Sequence, residues 1–225
     1  MNPWLLLDRA ATPGNGEELR LYQRDTEFSI MAGKYELMNS RLYGSEDALG
    51  KLACRKITHQ PRPRILIGGL GMGYTIRSAL DELGDQAQII VSELVPAVVR
   101  WNRECLSHLA GRPLEDPRVT LLETDVAELI KRARGEYDAI LLDVDNGPEG
   151  LTREDNNWLY SPEGLAAAAA ALRPKGALAI WSAGPDAAFV KRLRQTGFKV
   201  EEYRVRGHQG AKGRGHYTVW TAVLD

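Results

Sequence analysis

The chain has little of what builds disulfide frameworks or zinc sites. Its 225 residues include only two cysteines, Cys54 and Cys105, which lie far apart and form no Cys-x-x-Cys pair. Small secreted folds need several cysteines, and structural zinc sites need them at close spacing, so both classes are excluded. We therefore expect no bound metal and a location in a reducing cytoplasm.

Long apolar runs and an excess of either charge are also absent. The longest apolar run, Leu165 to Leu172, is mostly alanine and falls well short of the roughly 20 residues that cross a bilayer. Residues Met1 to Asp8 contain no basic leader, so no signal peptide is predicted. With 29 basic and 30 acidic residues the net charge is −1, which favours neither nucleic acid nor a membrane as a partner. A small molecule is the expected partner.

What the chain does have is a glycine-rich turn directly after an apolar strand. The stretch from Arg64 to Tyr74 reads RILIGGLGMGY and contains Gly69, Gly71 and Gly73. Glycines at such positions let the main chain turn sharply, approach a ligand closely and pack the following helix against the strand. The same pattern occurs where a strand merely meets a helix tightly, so a nucleotide site and a structural turn are both open interpretations.

Acidic residues follow the later strands. Glu93 ends an apolar strand about 20 residues past the last glycine, where a carboxylate with two acceptor oxygens matches the two hydroxyls of a ribose. Asp125 follows the next strand and is also a suitable N-cap for the helix after it. Asp143 and Asp145 follow the fourth strand, in a sequence that is also typical of a turn. Since parallel strands open into one crevice at their carboxyl ends, we expect these acids in one site.

The apolar pattern predicts a doubly wound α/β fold. We expect a mostly parallel, seven-stranded sheet in residues 45–225, with the strand at 216–223 antiparallel to the one at 200–205, and a small β flap in residues 1–44. The predicted flap strands are 19–22, 28–31 and 35–38; the predicted sheet strands are 64–68, 88–93, 119–123, 137–143, 177–182, 200–205 and 216–223; the predicted helices are 74–83, 96–106, 126–134, 162–172 and 186–195.

Four segments, in this order, resemble the class I S-adenosylmethionine-dependent transferases and, within them, the spermidine synthase family. They are the glycine motif Gly68 to Gly73, the segments Ser92 to Val99 and Asp116 to Asp125, and the strand Tyr137 to Asp143. The stretch Gly33 to Leu49 aligns with the substrate flap of the family, so that the resemblance covers residues 19–223.

The resemblance implies a donor side and a co-substrate. Gly69, Gly71 and Gly73 would form the cradle of the donor, Glu93 would bind its ribose, and Asp125 would bind its adenine amino group. The donor would be S-adenosylmethionine or decarboxylated S-adenosylmethionine, used without a metal. The resemblance also implies a homodimer.

The implied acceptor side combines the fourth strand with the flap. Asp143 would orient the attacking amine and take its proton, with Asp145 as a second carboxylate, because two neighbouring carboxylates raise one pKa and make a better base. Glu36, Arg41 and Glu46 would belong to the substrate flap. The acceptor would be a small amine or another small nucleophile.

Departures from the family pattern weaken the assignment of donor and acceptor. The family commonly has an aspartate at the position of Gly71, and that aspartate holds the free amine of the decarboxylated donor. With glycine there, a charge-assisted hydrogen bond of about 1.5–3 kcal/mol is lost. Arg41 replaces an acid and would repel a polyamine if it faced the pocket, although arginines are mostly solvated surface residues. Ser45 and Glu46 stand where the family usually has Tyr-His.

Three functions therefore remain open. Aminopropyl transfer to a di- or polyamine is favoured by the resemblance as a whole and by Asp143 with Asp145. Methyl transfer from S-adenosylmethionine to a small non-polyamine substrate is favoured by Gly71, Arg41 and the basic segment Arg204 to His216. The third is a non-catalytic nucleoside-binding protein. We predict a spermidine-synthase-like transferase that alkylates an amine, and we disfavour a dehydrogenase because hydride transfer does not need the later acids.

Overall fold

Two β-sheets organise the chain. The computed structural model describes residues 2–13, 18–144, 158–207 and 216–224, and within them a four-stranded sheet precedes a seven-stranded sheet that is covered by helices. The strands are β1 (Leu5–Ala11), β2 (Glu18–Arg24), β3 (Glu27–Ala32), β4 (Tyr35–Asn39), β5 (Arg64–Gly68), β6 (Gln88–Glu93), β7 (Val119–Glu123), β8 (Tyr137–Leu142), β9 (Leu172–Ser182), β10 (Lys199–Arg206) and β11 (His216–Val223). The α-helices are α1 (Gly44–Lys56), α2 (Tyr74–Glu82), α3 (Pro96–Arg103), α4 (Val126–Arg132), α5 (Pro162–Ala171) and α6 (Ala187–Gln195).

The seven-stranded sheet confirms the predicted fold class. Its order is β10-β11-β9-β8-β5-β6-β7, and β5 pairs in parallel with both β6 and β8. The chain therefore runs outward from β5 to β7 and then crosses back to β8, which creates the switch point where doubly wound sheets open a binding crevice. Strand β11 pairs antiparallel with β10, as predicted, and it also inserts between β10 and β9, which the sequence pattern does not reveal.

The small N-terminal sheet is an antiparallel meander of β1 to β4. The sequence pattern does not predict its first strand, because Leu5, Leu6 and Leu7 are consecutive and do not alternate with polar residues, and four of the seven residues are exposed. A long-range contact fixes it instead: the carboxylate of Asp8 accepts a hydrogen bond of 2.7 Å from the indole N–H of Trp101 and pairs with Arg100 on α3. The predicted division between residues 1–44 and 45–225 stays a prediction.

Helix α1 corrects the sequence prediction for residues 44–56, which places this segment partly in the flap and predicts no helix there. A glycine inside a helix lowers helix propensity by about 1 kcal/mol, which obscures the pattern around Gly50. Packing requires that glycine, because a Cβ at Gly50 would lie 2.7 Å from the Cβ of Ser78 on α2. Helix α1 therefore lies close against α2, on the same face of the large sheet as the flap.

None of the helices in the described residues combines the length and the hydropathy that a membrane span requires. The interior instead consists of two apolar clusters, one on each face of the large sheet. Leu21 of β2 and Ile30 of β3 belong to the same cluster as the helices of the flap side. The small sheet is thus packed against the body of the protein and covers the carboxyl end of the large sheet.

Candidate active site

The glycine turn after β5 has the backbone that only glycine adopts readily. Gly69, Gly71 and Gly73 have φ angles of 92°, 53° and 84°, all in the left-handed region. A Cβ on Gly69 would collide with the carbonyl oxygen of Asp143, so the main chain passes that strand end without room for a side chain. The amide of Asn102 donates hydrogen bonds to the carbonyl oxygens of Gly71 (2.7 Å) and Val98 (2.9 Å) and thereby ties the turn to α3.

Glu93 lies at the end of β6 with its carboxylate held against the glycine turn. Its Oε2 accepts a hydrogen bond of 3.0 Å from the main-chain N–H of Leu70, and its Oε1 accepts one of 2.8 Å from that of Val95. Both carboxylate oxygens are therefore held by main-chain donors of the turns that surround the crevice. The residue is 8% exposed and lines the crevice.

Asp125 caps α4 and also lines the crevice. Its side chain accepts a hydrogen bond of 2.8 Å from the main-chain N–H of Ala127. The neighbouring Ser92 hydroxyl donates to the carbonyl oxygen of Thr124, which joins the ends of β6 and β7. The structure therefore brings Glu93 and Asp125 to one side of the crevice, as the strand-end pattern predicts.

Asp143 follows β8, which lies on the other side of β5 from β6 and β7, and it lines the same crevice as Glu46 of α1. The hydroxyl of Thr75 donates a hydrogen bond of 2.6 Å to the Asp143 carboxylate, and the hydroxyl of Ser45 donates to that of Glu46. Burial raises the pKa of Asp143 to about 6, against the opposing effect of the Thr75 hydrogen bond. Burial and the charge of Asp143 raise the pKa of Glu46 to about 8. Asp143 has the lower pKa and is ionised before Glu46. Its negative charge therefore opposes the ionisation of Glu46, whereas Glu46 is still neutral when Asp143 ionises.

The crevice encloses about 1130 Å³, counting the part that is open to solvent. Its polar lining comprises the four acids just described with a few hydroxyls, while apolar side chains of the flap, including Ile30, Leu37 and Met38, form much of the wall. None of the described lining residues is basic. Such a cavity suits a ligand that carries positive charge on a largely apolar body.

Two flap residues that were expected at the site lie away from it. Arg41 is 59% exposed and pairs with Glu27 at 3.3 Å, in keeping with the surface interpretation of that arginine. Glu36 is exposed on β4 and accepts hydrogen bonds from Ser29 (2.6 Å) and Asn39 (2.9 Å). Neither residue lines the crevice. The flap contributes Met38 instead. The terminal methyl group of Met38 lies so close to Gly71 that a Cβ on this glycine would meet it.

Three contributors were missed from the sequence. Thr75 orients Asp143, Asn102 holds the glycine turn, and Trp181 lines the crevice from the end of β9. Trp181 had a usable signal, because it occupies the strand-end position that carries an acid in the other strands. Thr75 and Asn102 act on partners from distant segments, so no local pattern marks them.

Part of the expected site lies outside the described residues. This applies to Asp145, the predicted second carboxylate, and to most of the basic segment, 208–215. Within the described ranges, no group of three or more His, Cys, Asp or Glu side chains is arranged to hold a metal ion.

The sheet order and the switch point are those of a methyltransferase-like α/β fold. The "Spermine/spermidine synthase domain" family matches residues 53–188, more than half of the chain. The chain therefore belongs to the spermine/spermidine synthase family, as the sequence resemblance indicates.

Individual relatives agree with this assignment. The chain is 28% identical over 200 residues to the polyamine aminopropyltransferase of Mycobacterium tuberculosis. This alignment covers 84% of this chain and 35% of that protein. It is 35% identical over 117 residues to putrescine N-methyltransferase 2 of Nicotiana attenuata, which covers 52% of this chain and 29% of that one. Spermidine synthase from Thermotoga maritima shares the fold, with a TM-score of 0.77 at 17% identity over 98% of this chain and 73% of that one. The chain spans about a third of the length of the curated relatives that it matches.

Proposed function

We propose that this chain transfers an alkyl group from an adenosyl sulfonium donor to the nitrogen of a small amine. The observation that carries the proposal is that Glu93, Asp125 and Asp143 line a single crevice, with Glu93 and Asp125 at the ends of β6 and β7 on one side of β5 and Asp143 at the end of β8 on the other. The first pair suits a nucleoside, which offers hydroxyl and amino donors to carboxylates. Asp143 suits a nucleophile that must lose a proton. Family membership and the polyamine aminopropyltransferase relatives support aminopropyl transfer as the first candidate.

The mechanism follows from these positions. In the proposed complex Glu93 binds the ribose, Asp125 binds the adenine amino group and the glycine turn leaves room for the sulfonium. The carbon next to the sulfonium is already electrophilic, so the protein has to orient a neutral amine in line with it, accept the amine proton and exclude water. Asp143, held by Thr75, accepts that proton. We keep Asp145 as a predicted second carboxylate.

Methyl transfer to an amine is the second candidate. Gly71 provides no carboxylate for the free amine of a decarboxylated donor, and its carbonyl and φ angle are fixed by the turn. The similarity to a putrescine N-methyltransferase supports the same alternative. In this case the donor keeps its carboxylate and the transferred group is the methyl carbon, while Glu93, Asp125 and Asp143 keep the roles given above.

One calorimetric experiment separates the candidates. The protein is titrated with S-adenosylmethionine, with its decarboxylated form and with methylthioadenosine, and product formation from putrescine is then measured with each donor. Aminopropyl transfer predicts tighter binding of the decarboxylated donor and formation of spermidine. Tight binding of the carboxylated donor without aminopropyl transfer to putrescine contradicts that reading and favours methyl transfer. Binding of nucleosides without any turnover across an amine panel favours a non-catalytic nucleoside-binding protein, and absence of all binding refutes the proposal.

A further inference from the structure

Glu46 and Asp143 line one crevice as two carboxyl groups, and no basic side chain lines it with them in the part of the chain that the structure describes. They come from distant parts of the chain, Glu46 from α1 and Asp143 from the end of β8, and both line the acceptor side of the crevice. Glu46 is 8% exposed. The hydrogen bonds to their carboxylates come from the neutral hydroxyls of Ser45 and Thr75. Glu46 is buried and Asp143 is half-buried. Two such carboxylates repel each other and are poorly solvated, so they do not both stay ionised without a cation beside them.

Within residues 2–13, 18–144, 158–207 and 216–224, the other charged and titratable groups around Glu46 do not supply a cation to this pair. Asp47 is acidic and is itself paired with Arg77, which also lies over the rings of Tyr43 and Tyr74. The other described groups that interact with this cluster are the phenols Tyr74 and Tyr217 and, through Tyr217, the acid Glu36. The burial and repulsion described above raise the pKa of Glu46 most, which leaves one proton on the pair at neutral pH.

We propose that Glu46 is an acceptor-binding residue, and that Glu46 and Asp143 hold one proton between them until an alkylammonium ion enters the crevice and displaces it. The inference rests on the proposed function in one respect, namely that the acceptor is an amine. The cation supplies the charge that the pair lacks, so both carboxylates are ionised in the complex and one proton leaves to solvent. The apolar wall formed by Leu37, Met38 and Trp181 fits the hydrocarbon part of such an ion.

The chemical step then balances. The bound ammonium returns one proton to a carboxylate of the pair and becomes a neutral amine. Its lone pair forms the new nitrogen–carbon bond while the carbon–sulfur bond of the donor breaks, and the bonding electrons stay on sulfur as a neutral thioether. The product nitrogen carries the positive charge and remains beside the ionised carboxylate. A single carboxylate in place of the pair would have to serve both as the counter-ion and as the base.

Proton release on amine binding tests this inference without any turnover. The titrant is n-butylammonium, with putrescine as a second probe, and the heat of binding at pH 7 is compared in phosphate and Tris buffers, whose heats of ionisation differ. The wild-type protein should release close to one proton per amine bound, since an amine that enters as its ammonium ion gives up none of its own. Glu46→Gln should release almost none and bind the amine about tenfold to a hundredfold more weakly.

The controls decide between the remaining explanations. Glu104→Gln makes the same chemical change at an exposed position at the end of α3 and should behave like the wild type. If Glu46→Gln does not fold, Glu46→Asp keeps an acid at the site and should move the pH midpoint of proton release. Binding without release, equal release in the wild type and Glu46→Gln, or no amine binding with or without methylthioadenosine each overturns the inference. The donor titrations described above test the proposed function independently of these amine titrations.

Discussion

Removal of the Glu46 carboxylate should make the protein more stable at alkaline pH and leave it nearly unchanged in acid. The pKa of this side chain rises from 4.5 in the unfolded chain to about 8 in the folded protein. Between these values the folded state binds the proton more tightly than the unfolded state does, so the free energy of unfolding falls as the pH rises. Asp143, whose pKa rises from 3.8 to about 6, adds an effect of the same sign at lower pH.

The size of the effect follows from the same values. Each pKa unit corresponds to about 1.4 kcal/mol, so ionisation of Glu46 lowers the free energy of unfolding by up to about 4 kcal/mol at pH 8. Solvent that enters the crevice and relaxation of the pair reduce this figure, and we expect a difference of at least about 1 kcal/mol. Glu46→Gln keeps the shape of the side chain and its hydrogen bond with Ser45 but does not titrate.

Urea unfolding at pH 5, 6, 7 and 8 measures the difference directly. The free energies of unfolding of the wild type and Glu46→Gln should nearly coincide at pH 5 and diverge progressively toward pH 8, with the variant the more stable protein. Taking the difference cancels the groups that titrate alike in both proteins and leaves the contribution of Glu46 and of its interaction with Asp143. Glu104→Gln, with its exposed position, should follow the wild type at every pH. Parallel curves for the wild type and Glu46→Gln would refute the burial and repulsion assigned to Glu46.

Three further changes test how the site is built. Gly71→Asp should raise the preference for decarboxylated over carboxylated donor about tenfold to a hundredfold in calorimetry. Gly71→Asn places a side chain of the same shape, but without charge, at the same backbone position with its φ of 53°, and it should not change the preference. Asn102→Ala should weaken methylthioadenosine binding and lower the free energy of unfolding by about 1–2 kcal/mol; lower stability with unchanged affinity would separate the turn from the donor. Asp138→Asn, at the opposite end of the sheet, should lower stability by about 1–3 kcal/mol through its bond to Arg173 and leave donor affinity unchanged.

The side of the crevice that we assign to the donor could be located from the sequence because its signals are local. The glycine turn, Glu93 and Asp125 each belong to a strand-turn-helix segment in which the spacing itself fixes the geometry. The parallel sheet then aligns the strand ends, so the prediction that these residues meet in one crevice required only the fold class. The cavity lining agrees with this expectation.

The acceptor side could not be predicted in the same way because it depends on packing between distant segments. The sequence placed Glu46 in a flap, and only the position of α1 brings it to Asp143. Arg41 shows the opposite case, since nothing in the local pattern determines whether an arginine faces a pocket or pairs with Glu27 at the surface. Trp181 likewise reaches the crevice through the order of β9 and β8 in the sheet.

The close approach of α1 to α2 is therefore a condition for the acceptor site, and Gly50 tests it. A Cβ there would lie 2.7 Å from the Cβ of Ser78 and 2.8 Å from its hydroxyl oxygen, so Gly50→Ala must push the helices apart even though alanine is the better helix former by about 1 kcal/mol. The Ser78 hydroxyl also holds the carbonyl oxygen of Asp47, the residue next to Glu46.

We expect Gly50→Ala to withdraw Glu46 from Asp143, which lowers the pKa of Glu46 and reduces the proton release on amine binding. Donor affinity should change little, because the donor side is built on β5, β6 and β7. Gly84→Ala is the matched control, since a Cβ at Gly84 would meet nothing within 4 Å. Equal loss of donor and amine binding in Gly50→Ala would show that the helix supports the whole crevice. Selective loss of proton release would establish that the packing of two helices, and not the strand-end motif, determines the acceptor site.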